Sequence, residues 1–228
     1  MHFLKKTISK SLFHFSQPAY HYLLAFFGAF IYWFPSRKMK VIGVPGTSGK
    51  PTTIEFLHMI FFEAGFKTSS LSGLNFRVLN KTEPNLLKMT MPGRFRIQKF
   101  LREARNAGSE YVFLEATSEG IKQYRHKFIK FYAAMLTNLS PEHLESHNGF
   151  FNYRDAKAKL FEIAPIHILN GDDPNFNFFL KIPVYHSNFF FLYKFFKRIW
   201  RRNSKKKFEQ VRKIIFHISE YPDDLDLK

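Results

Sequence analysis

Short apolar runs alternate with segments of helical periodicity along the middle of the chain. Residues 39–44, MKVIGV, form an apolar run that ends in glycine, and such a run predicts a buried β-strand. After a glycine-rich loop, Ile54, Leu57 and Phe61 fall on one face of a helix that Gly65 ends. The order of strand, glycine loop and helix is the layout of a phosphate-binding loop.

The same alternation continues to about residue 170. Apolar positions repeat with helical spacing in segments 97–104 and 150–163, and apolar runs predict strands at 111–116, 131–138 and 166–170. Strands separated by helices predict an α/β fold with a mainly parallel sheet that helices cover on both faces. Ligands of such sheets bind beyond the carboxyl ends of the strands, so we expect one shared site at that edge. The predicted strand ends carry Gly43, Glu115, Asn138 and Asn170.

The pattern divides the chain into three segments. They are a basic and apolar helical segment at 1–38, a central α/β domain at 39–186 and a basic aromatic tail at 187–228. In the first segment, residues 19–34 are largely apolar, and basic residues flank them on both sides. A membrane-spanning helix usually needs about 20 such residues. Three interpretations stay open: a helix packed on the domain, an interfacial membrane anchor, and a short membrane span.

The charge is strongly positive and unevenly distributed. The formal net charge is +17, and ten Lys or Arg residues against one Glu lie between Lys194 and Lys213. No zinc-finger, RRM or KH pattern accompanies this charge, so we do not expect nucleic acid as a partner. The absence of cysteine excludes disulfides and thiol catalysis. The tail fits either a basic aromatic helix on a membrane surface or a poorly specified segment.

The loop between the first predicted strand and helix, GVPGTSGKPTT at 43–53, carries candidate chemistry. Gly46 and Gly49 allow close backbone approach to a phosphate, and Lys50 would reach the β- and γ-phosphates. The next position normally supplies a hydroxyl for Mg²⁺ but is Pro51, which also lacks an N–H and disfavours helical backbone angles at Lys50. Thr52 is rotated by ~100° around the helix and does not simply replace that hydroxyl.

Several segments in order resemble the ATP-dependent Mur ligases, most closely the MurE type. The segments are VIGVPGTSGKPTT (41–53), MTMPGR (89–94), LEATSEGIKQYRH (114–126), LTNLSPEHLESH (136–147), YRDAKAKLF (153–161) and ILNGDD (168–173). The resemblance covers about residues 39–174, which correspond to most of the central ATPase domain of that family. It implies a P-loop-containing Mur ligase central domain and a cytoplasmic protein, either free or associated with the inner face of the membrane.

The resemblance also implies roles for individual residues. The positions that match ATP-binding ones are Gly46, Thr47, Ser48, Gly49, Lys50, Thr52 and Asn138. The positions that match magnesium ligands are Glu115, His143 and Lys157, the last as a carbamate. Thr90, Ser118 and Arg125 match positions that hold the UDP-sugar-peptide substrate. Lys50, Lys157 and His143 would serve in catalysis.

The implied reaction adds an amino acid to a UDP-N-acetylmuramoyl-peptide through an acyl phosphate, with ATP and Mg²⁺ as cofactors. The chain departs from the family pattern at Pro45, Pro51, Glu119 and Glu142. It also lacks counterparts of the family's amino- and carboxyl-terminal domains, so a second chain that supplies the latter is an expected partner. Two alternatives stay open: a non-catalytic module that binds nucleotide or precursor, and a ligase similar to folylpolyglutamate synthetase.

Overall fold

A computed structural model describes residues 10–87, 89–142, 149–184 and 213–216 of the 228-residue chain. The helices in these ranges are α1 (Lys10–Ile31), α2 (Lys50–Glu63), α3 (Arg94–Asn106), α4 (Ser118–Lys122), α5 (Phe150–Phe161) and α6 (Phe176–Lys181), with a 3-10 turn at Pro35–Lys38. The strands are β1 (Lys40–Pro45), β2 (Thr68–Leu71), β3 (Asn75–Val78), β4 (Lys81–Pro84), β5 (Tyr111–Ala116), β6 (Phe131–Met135), β7 (His167–Asn170) and β8 (Lys213–Phe216).

These strands form one sheet in the order β4-β3-β2-β5-β1-β6-β7-β8. Neighbouring strands from β2 to β8 in this order run parallel, whereas β3 pairs antiparallel with both β2 and β4. In the centre, Val44 of β1 lies opposite Glu115 of β5, so the two strands end at the same edge. The predicted α/β fold with a mainly parallel sheet is confirmed.

Helices cover both faces because β1 is apolar on both sides. Ile42 and Val44 point to one face, where they form a cluster with Ile54 of α2. Val41 points to the other face, where α3 and α5 contribute Phe100 and Leu160 to the larger cluster. A strand buried on both faces reads as a continuous apolar run, which is why its pattern is visible in the sequence.

The sequence patterns did not predict β2, which lies between β5 and β3 in the sheet, or the strands β3, β4 and β8 towards its edges. The run at 131–138 is a strand only to Met135, because the chain then turns to meet the glycine loop. The meander of β3 and β4 has no apolar run of its own, since β4 is exposed throughout. Within the segment assigned to the tail, Lys213–Phe216 forms β8 beside β7, so this segment is not entirely outside the sheet. The remainder of 187–228 lies outside the described residues.

The apolar segment at 19–34 belongs to α1 and the turn that follows it. Helix α1 packs on α3, so the segment is a helix docked on the domain. Among the described helices, none combines the length and apolar character that crossing a membrane requires. The interpretation as a short membrane span therefore has no support in this part of the chain.

Candidate functional site

The glycine loop joins β1 to α2 and fits closely against the chain that follows β6. A Cβ atom on Gly46 would lie 1.9 Å from Oγ1 of Thr137, so no other residue fits there without displacing that threonine. Gly49 has a φ of 72°, in the left-handed region that glycine adopts readily. The two glycines thus meet separate demands, one of space and one of backbone angle.

Asn138 holds the loop by its backbone and its side chain. Its carbonyl oxygen accepts a hydrogen bond from the Thr47 N–H at 2.9 Å. Its Oδ1 accepts one from the Ser48 N–H at 3.0 Å, and its Nδ2 donates to the Ser48 carbonyl oxygen at 3.2 Å. The Thr137 hydroxyl donates to the same carbonyl oxygen at 3.0 Å. The loop conformation is therefore fixed by residues that follow β6.

The start of α2 leaves backbone donors open. Within the described part of the chain, no hydrogen-bond acceptor is present for the N–H groups of Gly49, Lys50 and Thr52. Open N–H groups at the positive end of a helix dipole bind anions, so this loop fits a polyphosphate. Helix α2 begins at Lys50, and Pro51 lies in its first turn. The helix therefore forms in spite of Pro51, since proline is tolerated in a first turn.

Lys50 lies between the loop and the end of β5. Its Nζ donates to the Thr47 carbonyl oxygen at 2.6 Å and lies 3.9 Å from Oε1 of Glu115. Glu115 is only 2% exposed, and its Oε2 accepts a hydrogen bond from the Gly73 N–H at 2.6 Å. Burial raises the pKa of Glu115, while the Gly73 N–H and the Lys50 charge oppose that rise. A carboxylate held in this way is a suitable oxygen ligand for a hard cation.

Lys157 is a buried lysine on α5 with no carboxylate within salt-bridge distance in the described part of the chain. It is 2% exposed, and its Nζ lies 3.6 Å from the centre of the Tyr153 ring. The pKa of Lys157 is lowered to about 7, mainly by burial and to a smaller extent by the Lys50 charge, while Glu142 acts in the opposite direction. Near neutral pH, Lys157 is therefore a neutral amine in a large fraction of the molecules.

Tyr153 connects Lys157 to the loop. Its hydroxyl lies 3.0 Å from Oγ1 of Thr47, and that Oγ1 accepts a hydrogen bond from the Ser140 N–H at 3.0 Å. Tyr153 precedes Lys157 by one helical turn, so the two share a face of α5. The contacts run without a gap from Lys157 through Tyr153 and Thr47 to Lys50 and Glu115.

The three residues predicted to hold the substrate lie on the β5 side of this cluster. Thr90 flanks Gly73, since a Cβ on that glycine would lie 3.3 Å from Thr90 Oγ1 and 3.4 Å from Glu115 Oε2. Ser118 is buried at the start of α4, directly after β5. Arg125 donates to the Met91 carbonyl oxygen and, at 2.7 Å, to Oε1 of Gln123. Its Nε is buried without a hydrogen-bond partner, and burial lowers its pKa.

The structure brings most of the predicted residues together. Thr52 is exposed on α2, one position beyond the proline. His143 lies outside the described residues. In the described ranges, no group of three or more His, Asp or Glu side chains could hold a metal. Magnesium is commonly held by one or two carboxylates and the phosphates of its substrate, so Glu115 is the described side chain that fits this mode.

Three contributing residues are not among the predicted site residues, although Thr137 and Tyr153 lie within the segments 136–147 and 153–161. Gly73 donates to Glu115, Thr137 limits the space at Gly46, and Tyr153 bridges Thr47 and Lys157. Tyr153 could have been found from its spacing to Lys157 on the same helical face. Gly73 and Thr137 act through tertiary contacts that leave no local signal.

Comparisons with known proteins find a matching family model and several relatives. The family model described as Mur ligase middle domain matches residues 44–223. The UDP-N-acetylmuramoyl-L-alanyl-D-glutamate--2,6-diaminopimelate ligase of Wigglesworthia glossinidia brevipalpis is 32% identical over 206 residues, covering 86% of this chain and 39% of the relative. The UDP-N-acetylmuramyl-tripeptide synthetase of Roseiflexus sp. (strain RS-1) is 34% identical over 173 residues, covering 69% of this chain and 34% of the relative.

Solved structures give the same fold. A structure of UDP-N-acetylmuramoyl-L-alanyl-D-glutamate--2,6-diaminopimelate ligase superposes with a TM-score of 0.60 at 21% identity, covering 80% of this chain and 32% of that chain. A Mycobacterium tuberculosis folylpolyglutamate synthase complexed with ADP gives a TM-score of 0.53 at 15% identity. The match covers 69% of this chain and 43% of that chain. The chain thus spans less than half the length of these relatives. By its family match and its relatives, this chain belongs to the Mur ligase middle-domain family.

Proposed function

We propose that this chain is the nucleotide-binding part of an ATP-dependent amide ligase that extends a UDP-N-acetylmuramoyl-peptide by one amino acid. The observation that carries the proposal is the continuous set of contacts among Lys50, Glu115, Tyr153 and Lys157 beside the open N–H groups of α2. The two sequence relatives, from Wigglesworthia glossinidia brevipalpis and Roseiflexus sp., carry this activity in their names and favour it over folate polyglutamylation.

Each residue of the loop would have a definite task in this reaction. The N–H groups of Gly49 and Lys50 would hold phosphate oxygens, and the Lys50 ammonium would offset the negative charge that grows on the transferring phosphoryl group. The substrate carboxylate takes the γ-phosphoryl group, and ADP leaves. The incoming amine then attacks the acyl carbon, loses a proton, and displaces phosphate to form the amide.

Magnesium would supply charge neutralisation when bound, and Glu115, His143 and a carbamylated Lys157 would hold it. The lowered pKa of Lys157 fits this role because only a neutral amine adds to CO₂. In that addition the nitrogen forms a bond to carbon and releases a proton, so the lysine becomes an anion. Thr90, Ser118 and Arg125 would hold the substrate on the β5 side of the cluster.

The proposal assigns this chemistry to the cytoplasm, because ATP is the phosphoryl donor. The chain spans less than half the length of its relatives, and we propose that a partner chain supplies a carboxyl-terminal domain with contacts to the incoming amino acid. One observation favours a second candidate function. Pro51 removes the magnesium hydroxyl at the loop, which fits a module that binds nucleotide or precursor without turning it over.

A nucleotide titration followed by a turnover assay tests the proposal. We expect ATP binding by the full chain to fall about 10-fold or more in Lys50→Met, whereas Lys81→Met on the exposed strand β4 serves as the control. Turnover is measured as phosphate release that needs both the UDP-linked peptide and an amino acid, with the carboxyl-terminal domain of a relative added in trans. Binding without turnover under those conditions would support the second candidate, and no ATP binding would refute both nucleotide functions.

A further inference from the structure

Helix α1 is docked on the domain by its small residues. Ala25 is 1% exposed and Ala29 is 0% exposed, and Gly28 lies against the backbone of Arg94 and Phe95 at the start of α3. A surface helix normally turns its large apolar residues inward and its polar residues outward. In α1 the most deeply buried residues are instead the smallest ones.

Most of the large apolar side chains of α1 are exposed, although Tyr22 and Phe26 contact the Phe128 ring of the domain. Those with exposed fractions of about half or more are Tyr20 (53%), Leu23 (53%), Phe27 (49%), Phe30 (58%) and Ile31 (57%). Full burial of one such side chain is worth roughly 1.5–3 kcal/mol. Contiguous exposed apolar surface of this kind marks a site of interaction.

A basic cavity of about 420 Å³ adjoins this face where α1 ends. It is lined by Trp33, Phe34, Arg37, Lys38, Arg102 and Arg105. The cavity is continuous with the α1 face because the Phe34 ring lies 6.3 Å from the Phe26 ring. Four of the six lining residues are cations and none is acidic. Within the described ranges, these four cations form no salt bridge.

The backbone holds the aromatic rim of this cavity in an unusual conformation. Trp33 has a φ of 59° and Phe34 a φ of 45°, which place two consecutive bulky residues in the left-handed region. This conformation costs about 1–2 kcal/mol per residue. Trp33 is nevertheless 75% exposed, so its own burial does not offset that cost. Such strain is most common at sites of function.

The charge on this side of the molecule indicates the kind of partner. Residues 1–40 contain no Asp or Glu, and the whole chain carries a net charge of +17. A second copy docked through the same face would bring two sets of cations together, because a twofold interface is self-complementary. The chain's own segment 194–213 carries ten Lys or Arg and would meet the same repulsion. The partner that fits is a surface with anionic groups on the outside and apolar groups beneath them.

We propose that the exposed face of α1 and the basic cavity together form a docking surface for an anionic phospholipid bilayer. The side chains of Leu23, Phe27 and Phe30 would enter the boundary of the acyl region, and Trp33 would lie at headgroup level. Arg37 and Arg102 would meet headgroup phosphates in the cavity. This proposal does not depend on the ligase function, because none of these residues belongs to the loop cluster.

Vesicle co-sedimentation of the full chain tests the proposal. Vesicles of phosphatidylcholine alone are compared with vesicles that also contain about 30% phosphatidylglycerol. The apolar contribution is removed in Phe27→Glu with Phe30→Glu, and the matched control is Phe56→Glu with Ile60→Glu on α2, whose side chains are 60% and 62% exposed. The charge contribution is removed in Arg102→Gln with Arg105→Gln, and its control is Lys81→Gln with Lys181→Gln.

Binding should be confined to the anionic vesicles and fall roughly 100-fold in the double Phe variant. It should fall about 30-fold in the double Arg variant, at roughly fivefold per charge. With Trp200→Phe, which leaves Trp33 as the single tryptophan, fluorescence should shift to the blue on these vesicles. Three results would overturn the proposal. They are equal binding to neutral and anionic vesicles, equal losses of binding in the control variants, and self-association through the α1 face without vesicle binding.

Discussion

The hydroxyl of Tyr153 lies 3.0 Å from Oγ1 of Thr47, and this contact joins the helix that carries Lys157 to the glycine loop. Removal of the hydroxyl in Tyr153→Phe should lower the free energy of unfolding by about 1 kcal/mol, because Thr47 keeps its hydrogen bonds with Ser140. The measurement is urea unfolding. Tyr132→Phe, on an exposed residue, is the control, and equal losses in the two variants would show that the bridge contributes nothing.

Pro51→Thr should restore both an N–H and a hydroxyl at the start of α2. We expect the affinity for ATP to rise about 10-fold in the presence of Mg²⁺, which corresponds to about 1.4 kcal/mol. Without Mg²⁺ the gain should be smaller, since only the N–H then contributes. Calorimetric titration of both forms gives the comparison. Pro51→Ala, which restores the N–H alone, is the matched control, and identical affinities for Thr and Ala would exclude a role for the hydroxyl.

Burial of Lys157 should make stability depend on pH in a defined direction. The pKa of Lys157 is lowered to about 7 in the folded chain, so between pH 7 and its unfolded value the unfolded chain binds more protons. This lysine therefore contributes a stability that rises with pH in that window, by up to ~1.4 kcal/mol per pH unit.

Lys157→Met removes this dependence. The variant should exceed the wild type in free energy of unfolding at pH 7, and the difference should narrow by about 2 kcal/mol at pH 9. Chemical denaturation at the two pH values measures both quantities. The same substitution should abolish turnover, because methionine cannot form a carbamate. A constant difference across the window would mean that Lys157 titrates normally.

His126 should sensitise the fold to acid. It is 1% exposed, its Nδ1 has no hydrogen-bond partner, and burial lowers its pKa to about 3. Between pH 6.5 and 3 the unfolded chain binds the additional proton, so stability is lost as the pH falls. By pH 5 the loss from this residue should be about 2 kcal/mol.

His126→Leu should therefore lose less stability than the wild type between pH 7.5 and pH 5. Thermal unfolding at the two pH values provides the measurement. Other buried histidines with lowered pKa values, His58 and His167, remain in both proteins and cancel in the comparison. An equal loss of stability in the wild type and the variant would mean that His58 and His167, not His126, cause the acid sensitivity.

The central strands and the loop were predictable because their signals are local. β1 and β5 are apolar on both faces, and the glycines and Lys50 stand at a spacing that phosphate loops require. The meander of β3 and β4 was not predictable, since its strands are polar and are stabilised by pairing at the sheet edge. The orientation of α1 was also not predictable, because most of its large apolar residues are exposed and its most deeply buried residues are the smallest ones.

The resemblance named residues that lie in one cluster, but it could not show the contacts that hold them there. A family resemblance led to Lys50, Glu115 and Lys157, whereas the contacts of Gly73 and Tyr153 exist only after folding. The lowered pKa of Lys157 likewise depends on burial and on the charge of Lys50, and neither is visible in a linear pattern.

The fit of Gly46 against Thr137 has a consequence for how this chain can change over generations. With only 1.9 Å between a Cβ at position 46 and that hydroxyl, a side chain can be gained on the loop only if one is first lost after β6. A substitution at Thr137 therefore has to come before a substitution at Gly46, although the two positions are far apart in the sequence. A change in the loop therefore has to follow a change in the segment after β6.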